Sequence, residues 1–292
     1  MPNSSEGVCS AKPELLHWHN KRVLLVAATP IGNIADHSPR LLEALRTADL
    51  IVAEDTRHSK SLASLLGVTT RNNWLAAHEY NEREQVEKVL DVARTKVVLV
   101  LTDAGTPAIS DPGFILVRSA HEQGIPVSVI PGPSAVISAL AVSGLPTDRF
   151  TFEGFVPKKG RREFLEELRS ERRTMVFFDS PHRLPDTLRE MAEVFGGERL
   201  AAVCRELTKK FEQVSRDSLA ALADAFAEGA RGEITLVVQG APKRVMGIED
   251  ALREVKALVD SGVRLTDAAK QVAKQTGLPK RDLYEATRSL DA

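Results

Sequence analysis

The chain is poor in cysteine: its 292 residues include only Cys9 and Cys204. Two thiols cannot make a disulfide framework or a four-thiolate zinc site, and such sparing use fits a reducing cytoplasm. No apolar run approaches the roughly 20 residues that a membrane helix needs. Charge of one sign is also missing, since 39 Lys and Arg balance 40 Asp and Glu for a formal net charge of -1. A protein held to nucleic acid by bulk phosphate attraction is normally basic, so any such contact here must come from local patches. Familiar motifs are absent as well. There is no G-x-G-x-x-G after the first apolar run and no G-x-x-x-x-G-K-[ST], which takes most of the support from ordinary dinucleotide and P-loop readings. Neither H-E-x-x-H nor G-x-S-x-G occurs.

What is present is globular in kind: 43% hydrophobic and 27% charged residues, with a length suited to about two domains. Residues 1–20 are polar, lack the basic start and apolar centre of a signal peptide, and read as a flexible lead. His17 and His19 beside Trp18 in that lead do not amount to a metal site, and no metal is expected elsewhere. From there, apolar runs alternate with helical patterns. Val23–Ala28, Leu50–Ala53, Val97–Leu101 and Val127–Ile130 read as buried strands. Ser38-Pro39 opens one helix, Leu62, Leu65 and Leu66 mark a second that Gly67 closes, and Glu82–Arg94 is amphipathic. A further helix runs to Gln123, and Pro131-Gly-Pro-Ser134 opens another that runs to Val142. This alternation predicts βαβ units and a mostly parallel sheet over 21–144.

Ser143-Gly-Leu-Pro146 reads as a linker. Over 147–242, strands are expected at Phe150–Phe155, Thr174–Phe178, Leu200–Arg205, Phe211–Ser215 and Ile234–Gln239. Helices are expected at Glu163–Ser170, Leu184–Phe195 and Ser218–Phe226, giving a second α/β domain of mixed strand direction. The segment 247–292 is a helical appendage, in which Thr266 is expected to cap a run ending at Gly277.

A loop follows each of these strands of the first half, Thr29–Asn33, Glu54–His58, Asp103–Gly113 and Pro131–Ala135, all but the second of them holding both glycine and proline. Each alone reads as a tight turn. Together they fall at one edge of one sheet, where open α/β folds bind ligands. Gly105, Gly113 and Gly132 would let backbone come close to a ligand there.

Ala28-Thr-Pro-Ile-Gly-Asn33, Ala53-Glu-Asp-Thr-Arg-His58, the run Asp103–Gly113 and Pro131-Gly-Pro-Ser-Ala135 resemble the tetrapyrrole-methylase superfamily. More narrowly, they resemble its 16S ribosomal RNA cytidine 2'-O-methyltransferase branch. The second half agrees through Ser180-Pro-His-Arg183, Arg205-Glu-Leu-Thr-Lys209 and Gly232-Glu-Ile-Thr-Leu-Val-Val238. The ordered set runs from about Val23 to Gly240 and is far more specific than any one motif. The resemblance implies two α/β domains with S-adenosylmethionine in the cleft between them, a cytidine ribose of the small ribosomal subunit as substrate, and a homodimer. Carried over residue by residue, it puts Pro30, Gly105, Thr106, Ile109, Ser134 and Ala135 beside the cofactor, with Phe178 and Leu207 from the second domain. The superfamily's usual G-D-P reads Gly105-Thr106-Pro107, so one cofactor-facing carboxylate is missing and Asp103 is the candidate to replace it.

Methyl transfer from a sulfonium is an in-line displacement that needs no metal. A base to help a ribose hydroxyl is worth about 10²–10⁴-fold. The candidates are Asp55, His58, His78 and Glu79. His78-Glu79 reads equally as an acidic helix start, and Asp55 equally as a helix cap. The branch usually has a second His where this chain has Tyr80. Arg57 could grip phosphate or pair with Asp55. Lys158, Lys159, Arg161 and Arg162 form the sharpest basic run, a candidate phosphate contact as well as a solvated face. His182 and Arg183 could read RNA or cap a helix. Two other readings compete: a methylase of a tetrapyrrole or other small molecule, and a nucleic-acid-binding regulator suggested by the helix-turn-helix look of 265–290.

Overall fold

The computed structural model describes residues 22–70, 73–78, 80–242 and 247–290. The lead expected over 1–20 and the candidate base Glu79 lie outside the described residues. In chain order the first unit comprises β1 (Val23–Ala27), α1 (Pro39–Thr47), β2 (Leu50–Ala53), α2 (Thr56–Leu65), β3 (Asn73–Ala76), α3 (Glu82–Ala93), β4 (Val97–Leu101), α4 (Phe114–Glu122), β5 (Val127–Ile130) and α5 (Ala135–Val142). The strands form one all-parallel sheet in the order β3-β2-β4-β1-β5. β1 and β4 lie inside it with every residue buried, as strands covered on both faces must. Successive side chains then serve opposite cores. Leu25 and Leu99 meet Leu41, Leu45 and Ala63 of α1 and α2, while Leu24 and Val98 meet Val86, Leu90 and Leu116 of α3 and α4.

The second unit comprises β6 (Phe150–Phe155), α6 (Arg161–Leu168), β7 (Thr174–Asp179), α7 (Leu184–Phe195), β8 (Leu200–Arg205), β9 (Gln213–Ser218), α8 (Leu219–Ala225) and β10 (Ile234–Val238). Its sheet runs β6-β7-β10-β8-β9, with β6 and β7 parallel and the other pairs antiparallel. The expected mixture of strand directions is therefore present. One face packs on α6, α7 and α8. The other meets α5, where Val136, Ala139 and Leu140 interlock with Val176, Ala202 and Val237 in a core shared by the two units. The sequence of α5, Ala-Val-Ile-Ser-Ala-Leu-Ala-Val, is small and apolar enough to lie close against that face. Three helices follow, α9 (Ile248–Asp260), α10 (Leu265–Thr276) and α11 (Lys280–Leu290), and close on a core of their own.

Differences from expectation have local causes. β9 starts at Gln213 rather than Phe211, because a turn with Glu206 and Thr208 at positive φ delays pairing until Gln213 meets Arg205. Phe211 is left exposed in that turn. Gly160, itself left-handed, starts α6 at Arg161 instead of Glu163. The N-cap position of α10 is Arg264 with no side-chain cap, so Thr266 does not serve as one. The short edge strand β3 escaped the apolar pattern, since half-buried Trp74 and Leu75 form little of a run.

Candidate functional site

The loops after β1, β2, β4 and β5 do meet at one edge of the first sheet. The first and third are stitched together by a two-residue bridge, in which Thr29 N donates to Gly105 O at 2.8 Å and Gly105 N to Thr29 O at 3.2 Å. Gly105 makes this bridge at φ +83, a conformation strained for any residue that carries a side chain. Gly132 serves close packing rather than a positive φ: a Cβ there would lie 3.0 Å from the Cβ of Ala28. Ser134 caps α5 by accepting from Ile137 N, and Asp55 caps α2 by accepting from Arg57 N at 2.8 Å. The long loop after β4 is pinned from α3. Glu82, almost fully buried, accepts from Gly113 N at 3.1 Å and Leu116 N at 3.0 Å at the start of α4.

Between these loops and the second sheet lies a cavity of about 380 Å³. This falls within the span typical of small-molecule sites. Glu54, Asp103, Gly105, Thr106, Ile109, Asp111, Ser134 and Ala135 line it from the first unit, and Phe155, Phe178, Asp179, Glu233 and Thr235 from the second. Phe178 stands 5.2 Å from Phe155 and 5.0 Å from Phe152, ring centre to ring centre. A larger depression, about 730 Å³, lies at the opposite strand ends beside Arg149 and Arg173, but Arg173 there is bound to Glu171.

The first-unit wall is acidic. Glu54 accepts from the Thr102 hydroxyl at 2.8 Å and from Asp103 N at 3.4 Å, and Asp103 accepts from Asp55 N at 3.3 Å. Burial pushes the Asp111 carboxyl up to about 6, and the nearby charges of Glu54 and Asp103 add to that rise. Burial and the charge of Glu54 raise Asp103 also. Across the cavity the carboxylates are paired: Asp179 with Arg183 at 3.1 Å and Glu233 with Lys209 at 3.1 Å.

The turn carrying Lys209 closes the cleft on one side. Thr208 Oγ1 accepts from Asn33 N at 3.0 Å, and Lys209 also pairs with Glu206 at 3.0 Å. Lys209 crosses directly over Gly32, where a Cβ would come within 2.4 Å of its Cγ. The left-handed φ of Glu206 and Thr208 marks this turn as strained.

Of the residues expected beside a cofactor, Asp103, Gly105, Thr106, Ile109, Ser134, Ala135 and Phe178 line the cavity, whereas Pro30 and Leu207 do not. Leu207 instead joins Ile31 in the shared core. Among the expected bases, Asp55 is held in a two-point ion pair by Arg57, which keeps its carboxyl well below the usual range. His58 and His78 are exposed, and none of these three lines the cavity. The basic run divides. Lys158, Lys159 and His182 are exposed, Arg162 is paired with Glu193 at 2.8 Å, and Arg161 is half-buried against Glu190. Arg183 donates to Val156 O at 2.8 Å besides pairing with Asp179. Arg161 and Arg183 are thus internal struts rather than free phosphate contacts. Glu54, Asp111, Phe155, Glu233 and Thr235 were not singled out for the cleft. The first two stand inside the quoted loops, but nothing in the chain alone tells which loop carboxylate turns inward. Among the described residues no group of His, Cys, Asp and Glu is arranged to hold a metal ion.

Residues 23–223 match the family described as Tetrapyrrole (Corrin/Porphyrin) Methylases, and residues 247–289 match the RsmI C-terminal HTH domain. The chain is similar to Ribosomal RNA small subunit methyltransferase I of Mycobacterium tuberculosis (strain CDC 1551 / Oshkosh), at 46% identity over 267 residues, 90% of this chain and 93% of that one. It is 45% identical over 270 residues to the protein of the same name from Pseudomonas aeruginosa, covering 90% and 95%. Two solved structures share the fold. Uroporphyrin-III-C-methyltransferase from Thermus thermophilus aligns at a TM-score of 0.54 and 20% identity, over 76% of this chain and 96% of that one. Diphthine synthase aligns at 0.56 and 18%, over 74% and 89%.

Proposed function

Because this chain belongs to the tetrapyrrole methylase family and is related along most of its length to small-subunit ribosomal RNA methyltransferases, we propose that it methylates the ribose 2'-hydroxyl of a cytidine in 16S ribosomal RNA, using S-adenosylmethionine. The observation that carries this reading is the kinship over 90% of the chain. The cleft formed by those same loops supports it.

The cavity suits the cofactor. Phe178, Phe155 and Ile109 offer flat and aliphatic surface to a purine, the capped start of α5 with Ser134 offers N–H groups to a carboxylate, and Asp103 offers negative charge to an ammonium or sulfonium. When bound, the cofactor supplies an electrophilic methyl on a positively charged sulfur. The protein's own share is positioning: Gly105 and Thr106 shape the floor, the aromatic pair excludes water, and the latch at Lys209 fixes the two walls. Arg57, Lys158, Lys159, Arg162 and His182, all exposed, are the candidates for phosphate or base contact. Mapping 2'-O-methyl groups on small-subunit RNA from cells with and without the protein tests the reading. One cytidine should lose its methyl, and an unchanged map would overturn it.

The assembled subunit, rather than short RNA, is the proposed substrate. With a net charge of -1, selection must rest on shape and a few local contacts. A homodimer is proposed too. Val129, Ile137 and Val142 are 52%, 54% and 51% exposed on β5 and α5, apolar side chains that a second copy would cover. Light scattering at micromolar concentration should give twice the chain mass. No described helix is long and apolar enough to cross a membrane, and the cytoplasm, where the substrate is made, is the proposed location.

A further inference from the structure

A neutral ribose hydroxyl is a weak nucleophile, so its attack on the methyl needs help from a group that takes the proton. Asp55, His58 and His78 do not line the cavity. We infer that the Asp111 carboxylate accepts the proton of the ribose hydroxyl, with Thr102 Oγ1, itself bonded to Glu54, beside it to take up the hydrogen bond of the protonated acid; this rests on the ribose-methylation reading above.

Asp111 and Glu54 both line the cavity. Beside them lies the hydroxyl of Thr102, a buried side chain that donates to Glu54 Oε2 at 2.8 Å. A hydroxyl has one hydrogen. While Thr102 gives it to Glu54, its oxygen can only accept, so a proton arriving on Asp111 finds an acceptor beside it. Charge points the same way. The second-unit carboxylates in the cavity each have a cationic partner, Asp179 in Arg183 and Glu233 in Lys209. Among the described residues no cationic side chain forms an ion pair with Glu54, Asp103 or Asp111, which leaves these three as the basic wall. Of other charged groups nearby, His58 and Asp55 act on Asp103 rather than on Asp111.

The backbone over-determines where Asp111 stands. Ala108 and Ser110, with φ of 71 and 61, hold left-handed conformations that cost free energy in residues with side chains. Ala108 N donates to Pro112 O at 3.0 Å, and Glu82 clamps the end of the loop at Gly113. Burial and neighbouring charge make Asp111 a stronger base than an ordinary aspartate while leaving it ionised at neutral pH. In the step itself the hydroxyl O–H bond breaks and its proton goes to Asp111. An oxygen–carbon bond forms to the methyl as the carbon–sulfur bond breaks. The electron pair of that bond stays on sulfur, which loses its positive charge.

Single-turnover methylation of unmethylated small subunits, followed from pH 5 to 9 with saturating S-adenosylmethionine, tests the inference. The wild-type rate should rise with pH to a plateau, with its midpoint near 6. Asp111→Asn should lower the plateau about 100-fold or more and abolish the rise, as loss of a general base does. Calorimetric cofactor affinity should stay within about threefold. A rate within tenfold of wild type, or an unchanged pH rise, would overturn the inference. So would weakened cofactor binding with a normal saturated rate, which would make Asp111 a cofactor residue. If Asp111→Asn does not fold, Thr102→Val decides: removing the hydroxyl must move the midpoint, and an unmoved midpoint counts against the inference. Wild-type protein that binds cofactor yet modifies no nucleotide of the subunit would instead overturn the functional reading itself.

Discussion

A half-buried carboxylate kept ready to ionise is a burden on the fold, and that burden can be measured without any substrate. Asp111 titrates higher in the folded protein than in an unfolded chain, where about 3.9 is usual. The folded state therefore prefers the protonated form. Whatever stability this gives is complete below pH 4 and is lost as pH rises through about 6. Asparagine does not titrate, so Asp111→Asn should melt at nearly the wild-type temperature at pH 4 and clearly above it at pH 8. Thermal melts at the two values check this, and a gap that ignores pH would count against the assignment. Gly105 and Ser134 were readable from the chain because their constraints are local: a left-handed turn and a helix cap. Asp111 was not, because its raised basicity comes from burial and from the charge of Glu54 at the end of another strand, β2. For Asp55 the deciding contact is local. A neighbour two positions away, Arg57, takes its charge, and the sequence left both outcomes open.

At the scale of elements, the loop after β4 depends on a residue outside it. Glu82 on α3 accepts two buried N–H groups at the start of α4. Glu82→Ala would leave Gly113 N and Leu116 N without that acceptor, at a cost of about 1–3 kcal/mol each. Denaturant unfolding should show the loss, and cofactor affinity should fall with it as the loop loosens. Glu82→Gln, which keeps an acceptor oxygen, should recover most of both. An acidic start to α3 was legible in the chain, but its partner was not, since the distance between α3 and α4 is set by packing. Strands of continuous apolar residues such as β1, β4 and β10 were likewise legible, because both of their faces are buried. β9 was misplaced, since its own residues are mostly exposed and pairing with β8, rather than apolar pattern, decides where it starts.

Taken whole, the molecule is nearly neutral, so on the proposed reading a few exposed cations carry its grip on RNA. Reversing the charge of Lys158 and Lys159 should weaken small-subunit binding and reduce the slope of log affinity against log salt by up to about two, roughly one for each phosphate no longer neutralised. Filter binding across salt concentrations measures it, and cofactor affinity should not change. The core shared through α5 carries a different kind of consequence. Val136, Ala139 and Leu140 of the first unit pack on the second sheet, so parting the two units exposes apolar surface on both. The two sheets should therefore melt together, and S-adenosylmethionine should raise that transition by mass action. The three terminal helices, closed on Val255, Ala269, Val272 and Leu283, have a separate core. Scanning calorimetry should resolve two heat-absorption peaks, a large one that climbs with cofactor and a small one that stays put, so that three packed bodies behave as two cooperative units.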